Sequence, residues 1–105
     1  MKMGRSEVRA IRHAVDITLP ICCDAENASI SVQRPGQIER DGVNVVRDGR
    51  RFLSITNVKS GDLISVYAGD GWPGVAYVLT ARGDLKELTG ARTIRGPFPK
   101  SAGMA

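Results

Sequence analysis

Aromatic residues are scarce in this chain, with two Phe, two Tyr and one Trp in 105 residues. A core must therefore be assembled from Val, Ile, Leu and Ala, and the strands that alternate these with polar residues carry the fold. Histidine is rarer still. The single one, His13, stands in a basic N-terminal stretch where nothing nearby can orient it, so no nucleophile-base pair and no His-based metal site is implied. The two cysteines, Cys22 and Cys23, are adjacent. Neighbouring Cα atoms lie about 3.8 Å apart, too close for an unstrained bridge, and reduced thiols in a cytoplasmic setting are expected. No catalytic set, metal site or cofactor motif emerges from these residues.

Long apolar runs are also missing. Nothing approaches the ~18 residues needed to cross a bilayer as a helix, and the apolar stretch 17–23 is interrupted by Pro20. Arg9, Arg12, His13 and Asp16 fall where a secretion signal needs apolar residues. The chain is read as unprocessed, cytoplasmic when made and without a membrane partner.

Negative charge is absent from residues 88–105, which hold Arg92, Arg95 and Lys100, and residues 1–13 set Lys2, Arg5, Arg9 and Arg12 against Glu7 alone. The formal net charge of +4 is thus concentrated at the ends, leaving residues 14–87 near −2. A near-neutral body with two basic arms is suited to gripping neighbouring subunits or a polyanion.

Turn signals dominate what remains. Asp41-Gly42, Asp48-Gly49, Ser60-Gly61 and Arg82-Gly83-Asp84 punctuate short β-branched runs across residues 41–88. Such pairs favour hairpins because Gly accepts positive φ, so the region reads as a β-meander with strands near 43–46, 51–58, 62–68, 75–81 and 85–88. Two earlier strands are expected over 16–23 and 28–33, the first placed at an edge by Pro20. Period-two alternation puts Ile17, Leu19, Ile21, Ile30, Val32, Leu53, Ile55, Ile64, Val66, Val75, Tyr77 and Leu79 on core faces.

The expected fold is therefore mainly β: a small antiparallel barrel or sandwich of about seven short strands. It spans residues 15–88, between a basic N-terminal arm (1–14) and a Gly/Pro-containing basic C-terminal arm (89–105). A short helix over residues 6–14 is predicted from the cap Ser6, with Val8, Ile11 and Val15 opposite Arg5, Arg9 and Arg12.

Several local patterns have ordinary explanations. Asp41, Asp48, Asp62, Asp70 and Asp84 adjoin glycines and read as turn residues, not general acids. Gly69, Gly71 and Gly74 imitate a phosphate loop, but Pro73 and a β-branched run follow where a helix would be needed. Arg82-Gly83-Asp84 reads as a hairpin turn. Arg47, Arg50 and Arg51 around Asp48 read as a solvated cluster.

The candidate interaction residues are Arg5, Arg9 and Arg12 in the first arm, Trp72 in the loop 69–74, and Arg92, Ile94, Arg95, Phe98 and Lys100 in the second. Together they predict a non-enzymatic structural or assembly protein that docks through its arms onto other protein subunits, as a homo-oligomer or within a larger assembly. A bacteriophage virion component of the capsid, head-tail or tail is the concrete form expected from architecture. The alternative is a small nucleic-acid-binding or regulatory protein whose arms neutralise phosphates.

Overall fold

The computed structural model describes residues 14–22, 25–69, 73–96 and 98. These form nine strands and, among the described residues, no helix: β1 (Val15–Ile21), β2 (Ser29–Gln33), β3 (Arg40–Asp41), β4 (Val43–Arg47), β5 (Arg50–Val58), β6 (Leu63–Tyr67), β7 (Val75–Leu79), β8 (Leu85–Glu87) and β9 (Thr93–Ile94). They pair into a three-stranded sheet, β1-β5-β4, and a six-stranded sheet, β3-β2-β6-β7-β8-β9, antiparallel throughout. Among the described residues the pairing forms two sheets and does not close into a barrel.

The core lies between the sheets. Val15, Ile17 and Leu19 of β1 and Leu53, Ile55 and Val58 of β5 meet Ile30 and Val32 of β2, Ile64 of β6, Tyr77 and Leu79 of β7 and Leu85 of β8, with Ala28 beside them. Side chains that alternate along each strand put this apolar set on one face, and burial of that face drives the two sheets together. Ile21, Val66 and Val75, expected in the core, are only partly buried at its margin.

Two expected hairpins turn out to be crossings between sheets. Asp41-Gly42 joins β3 of the larger sheet to β4 of the smaller, and Ser60-Gly61 joins β5 to β6, again changing sheets. A turn residue reports a reversal or bend but not which strand will be the next partner. At the first crossing a Cβ on Gly42 would overlap the Ser54 carbonyl oxygen and stand 2.6 Å from Ile30 Cγ2 and 2.9 Å from Ile55 Cβ. The Gly42 N–H donates to the Ile30 carbonyl at 2.8 Å. Only a residue without a side chain lets the strand pass this close to both sheets.

The other two turns form hairpins as predicted. Arg47 pairs with Arg50 around Asp48 (φ 49°) and Gly49 (φ 76°), and Leu79 pairs with Leu85 around Gly83 (φ 93°). In β5 the register slips, since Val15 opposes Val58 while Ile17 opposes Ile55. The extra residue includes Asn57 at φ 59°, a bulge that turns Val58 inward.

The predicted helix over 6–14 falls almost wholly outside the described residues, and Val15, assigned to its apolar side, is instead a buried residue of β1. The region after residue 88, expected as an extended arm, contributes β9, with Leu85 opposite Ile94 and Lys86 opposite Thr93.

Candidate functional site

The outer face of the three-stranded sheet carries an open cleft of about 450 Å³ lined by Thr18, Val45, Arg47, Asp48, Arg50, Phe52 and Ser54. Pairing explains the set: Val45 lies opposite Phe52, Arg47 opposite Arg50, and Thr18 opposite Ser54, so one face of three adjacent strands supplies the lining. Phe52 and Val45 form an apolar floor. Thr18 Oγ1 and Ser54 Oγ lie 3.5 Å apart and add a polar patch. Arg47 and Arg50 stand at the hairpin end, both exposed, against the single carboxylate of Asp48.

The neighbouring Arg51 is used differently. It points to the other face, where its Nη1 donates to Asn44 Oδ1 at 2.7 Å. Asn44 Nδ2 in turn donates to the carbonyls of Ala25 (3.0 Å) and Ala28 (2.9 Å), tying the approach to β2 onto β4. Of the three arginines around Asp48, strand alternation therefore assigns one to structure and leaves two for the cleft. A guanidinium pair over an aromatic and an aliphatic floor is suited to an apolar group next to an anionic one.

At the opposite end of β5 lies a buried polar node. Asp62 is 1% exposed, and Arg34 grips it as a fork, Nε donating to Oδ1 and Nη2 to Oδ2, each at 2.9 Å. The Lys59 N–H donates to Oδ2 at 2.9 Å. Burial pushes the Asp62 carboxyl up, yet the Arg34 hydrogen bonds and the Lys59 N–H outweigh it and hold the group below the ordinary carboxylate value. The hydrogen bond to Asp62 likewise raises Arg34. Arg34 and Arg40 also converge on the bulge, donating to the Asn57 carbonyl at 3.0 and 2.7 Å, and Arg40 reaches the Thr56 carbonyl at 2.6 Å. This node ties β2, β3, the end of β5 and the turn before β6 together. Asp62, expected as a plain turn residue, is instead a buried, paired carboxylate.

Above the node, the β2–β3 loop presents Ile38, at 91% the most exposed large apolar side chain described. Glu39 follows it, its Oε2 accepting a 2.5 Å hydrogen bond from Ser31 Oγ, and Asp41 is exposed two residues further on.

The sequence-predicted site residues are dispersed. Arg5, Arg9, Arg12, Trp72 and Lys100 lie outside the described residues. Arg92 and Arg95 are exposed. Ile94 and Phe98, predicted as anchors for a partner, are partly buried against this chain's own core. Asp84 of the Arg82-Gly83-Asp84 turn accepts from the Gly96 N–H at 2.9 Å, which ties the C-terminal segment to that hairpin.

Sequence reasoning missed the cleft because it treated the solvent face of each strand as small or polar. Phe52 was the visible exception, two residues from Ser54 and therefore on the same face. Among the described residues no group of three or more His, Cys, Asp or Glu is placed to hold a metal ion. No described helix is long and apolar enough to cross a membrane. Compared with protein-family models, with curated proteins and with solved structures, the chain matches none.

Proposed function

We propose that this protein is a non-enzymatic assembly component whose β-sandwich docks onto other protein subunits. The observation that carries this reading is the cleft, which combines the Phe52 and Val45 floor with Arg47 and Arg50 on an exposed sheet face. An apolar centre edged by arginine is the composition of protein interface cores, where aromatic residues and arginine are enriched. Exposed Ile38, Val43, Val46 and Leu88, each at least half accessible, add further apolar surface to a small body. The basic termini supply a second means of attachment. A virion component remains the concrete form proposed, on the architectural ground that small β-bodies with arms suit symmetric shells and rings.

One observation favours the alternative of a nucleic-acid-binding protein. Phe52 beside Arg47 and Arg50 on an open sheet face resembles the stacking platforms of single-strand binders. The two readings separate in solution. Light scattering on the full chain, and on one trimmed of residues 1–13 and 99–105, is expected to give a mass above the 11.3 kDa monomer that falls on trimming or on cleft substitution. A monomer that binds a single-stranded oligonucleotide with affinity falling steeply as salt rises overturns the assembly reading for the alternative.

A further inference from the structure

Ile38 and the cleft are complementary in shape class and in charge. One is an almost fully exposed aliphatic side chain followed by the exposed acids Glu39 and Asp41. The other is a cavity with an aromatic and aliphatic floor and a rim of two exposed arginines and the Asp48 carboxylate, net positive by one charge. The intervening Arg40 does not cancel the acids at the surface, because its guanidinium turns onto the Thr56 and Asn57 carbonyls. Arg34 is spent on Asp62.

Within one chain the Ile38 loop and the arginine rim of the cleft lie far apart. Arg34 and Arg40, which bracket the Ile38 loop, both reach Asn57 at one end of β5, whereas Arg50 of the cleft begins that same strand. Seven residue steps of strand, on the order of 20 Å, separate Asn57 from Arg50 at the arginine rim, and three, about 10 Å, separate it from Ser54 at the near edge of the cleft. The loop at one end of β5 therefore cannot set its acids against the arginine rim at the other end of the same strand, whereas the loop of another copy can.

We infer that the Ile38 loop of one copy inserts into the Phe52–Val45 cleft of the next, with Glu39 and Asp41 facing Arg47 and Arg50, joining copies head to tail. This rests on the assembly reading above and names the partner: a second copy of this chain. The joint is heterologous, because each copy offers a different surface on each side. It therefore builds a ring when the rotation between copies closes and a growing row when it does not. Burial of an aliphatic side chain supplies the attraction, and the charge pairs set the register and the salt dependence.

Light scattering over a concentration series of the full chain tests the joint. The wild type is expected to rise above monomer mass as concentration rises, and to fall back toward it in about 0.5 M salt, where the Debye length shrinks to a few ångströms. Ile38→Ser, the knob reversal Glu39→Lys/Asp41→Lys, and the rim reversal Arg47→Glu/Arg50→Glu are each expected to weaken association at least tenfold. Mixing the two charge-reversed proteins should restore it, since each then offers the complement of the other; that rescue also establishes that both are folded. Wild-type association that persists in all three variants overturns this joint and leaves the assembly reading standing. A wild type that stays monomeric throughout overturns both, and oligonucleotide binding lost with the rim reversal then assigns the cleft to nucleic acid.

Discussion

Arg34 and Asp62 make an ion pair whose energetics are set by burial. Asp62 is sealed from water and Arg34 is about a quarter exposed, so removing the arginine strips a buried carboxylate of its forked partner while the Lys59 N–H stays. Arg34→Met is expected to cost about 3 kcal/mol near neutral pH, measured by urea unfolding. The pH dependence has a definite sign. A carboxyl held below its unfolded value of about 3.9 contributes fully above that pH and loses its contribution as pH falls through the folded value. In the variant the carboxyl keeps its burial but loses the Arg34 hydrogen bonds that hold it down, so its value shifts upward and protonation costs the fold less. The stability gap between wild type and variant should therefore narrow below about pH 4; a gap that is constant from neutral pH to pH 3 would refute the pairing. Gly42 makes the second residue-scale case. Gly42→Ala forces a methyl into the Ser54 carbonyl and the Ile30 side chain and should cost about 2 kcal/mol or more. Gly36→Ala, at φ 80° with open space around it, is expected to cost only about 1 kcal/mol. Gly42 is outside the left-handed region that Gly36 occupies, so a loss at Gly42 no larger than that at Gly36 would show that the close crossing of the sheets does not require glycine there.

Among the elements, β5 does the most positioning. It pairs with both other strands of its sheet, buries Leu53, Ile55 and Val58 on one side, and presents Arg50, Phe52 and Ser54 to the cleft on the other. Its bulge lets one strand serve the core along its whole length. Without the left-handed residue, alternation would send Val58 outward with Thr56. Asn tolerates positive φ better than other residues with a Cβ, and a β-branched side chain tolerates it least. Asn57→Gly is expected to leave the midpoint of chemical unfolding nearly unchanged, while Asn57→Val should cost about 1.5 kcal/mol. The strands themselves were legible in sequence because alternation and turn residues are local. β3 and β9 were not. Each is two residues long, and their side chains carry no period that a pattern can detect.

For the whole molecule, the C-terminal segment belongs partly to the body. Ile94 and Phe98 rest on the core and Gly96 donates to Asp84, while a Cβ on Gly96 would overlap the Gly83 carbonyl. Truncation after Arg92 removes β9 and both apolar contacts and is expected to cost about 2 kcal/mol, the scale of one well-buried aliphatic or aromatic side chain. Circular dichroism melting checks this, and an unchanged midpoint would return residues 93–98 to the role of a free arm. At this scale the body also shows a charge arrangement that composition did not reveal. Arg47 and Arg50 flank Asp48 at the hairpin end of β5, while Glu39 and Asp41 follow Ile38 in the β2–β3 loop and β3.

Composition and alternation alone determined that this chain is all-β in its described body, that aliphatic residues form its core and that Asp48-Gly49 and the 82–84 turn close hairpins. Those properties depend on residues one to four positions apart, where sterics and period two leave little choice. Tertiary structure decided which strands pair, and so that Asp41-Gly42 and Ser60-Gly61 cross between sheets, that Asp62 is buried against Arg34, and that Thr18, Val45, Arg47, Arg50 and Phe52 converge on one cleft. Each of these joins residues from separate strands, and the free energy that selects among such pairings comes from burying the whole core at once, which no local stretch of sequence encodes.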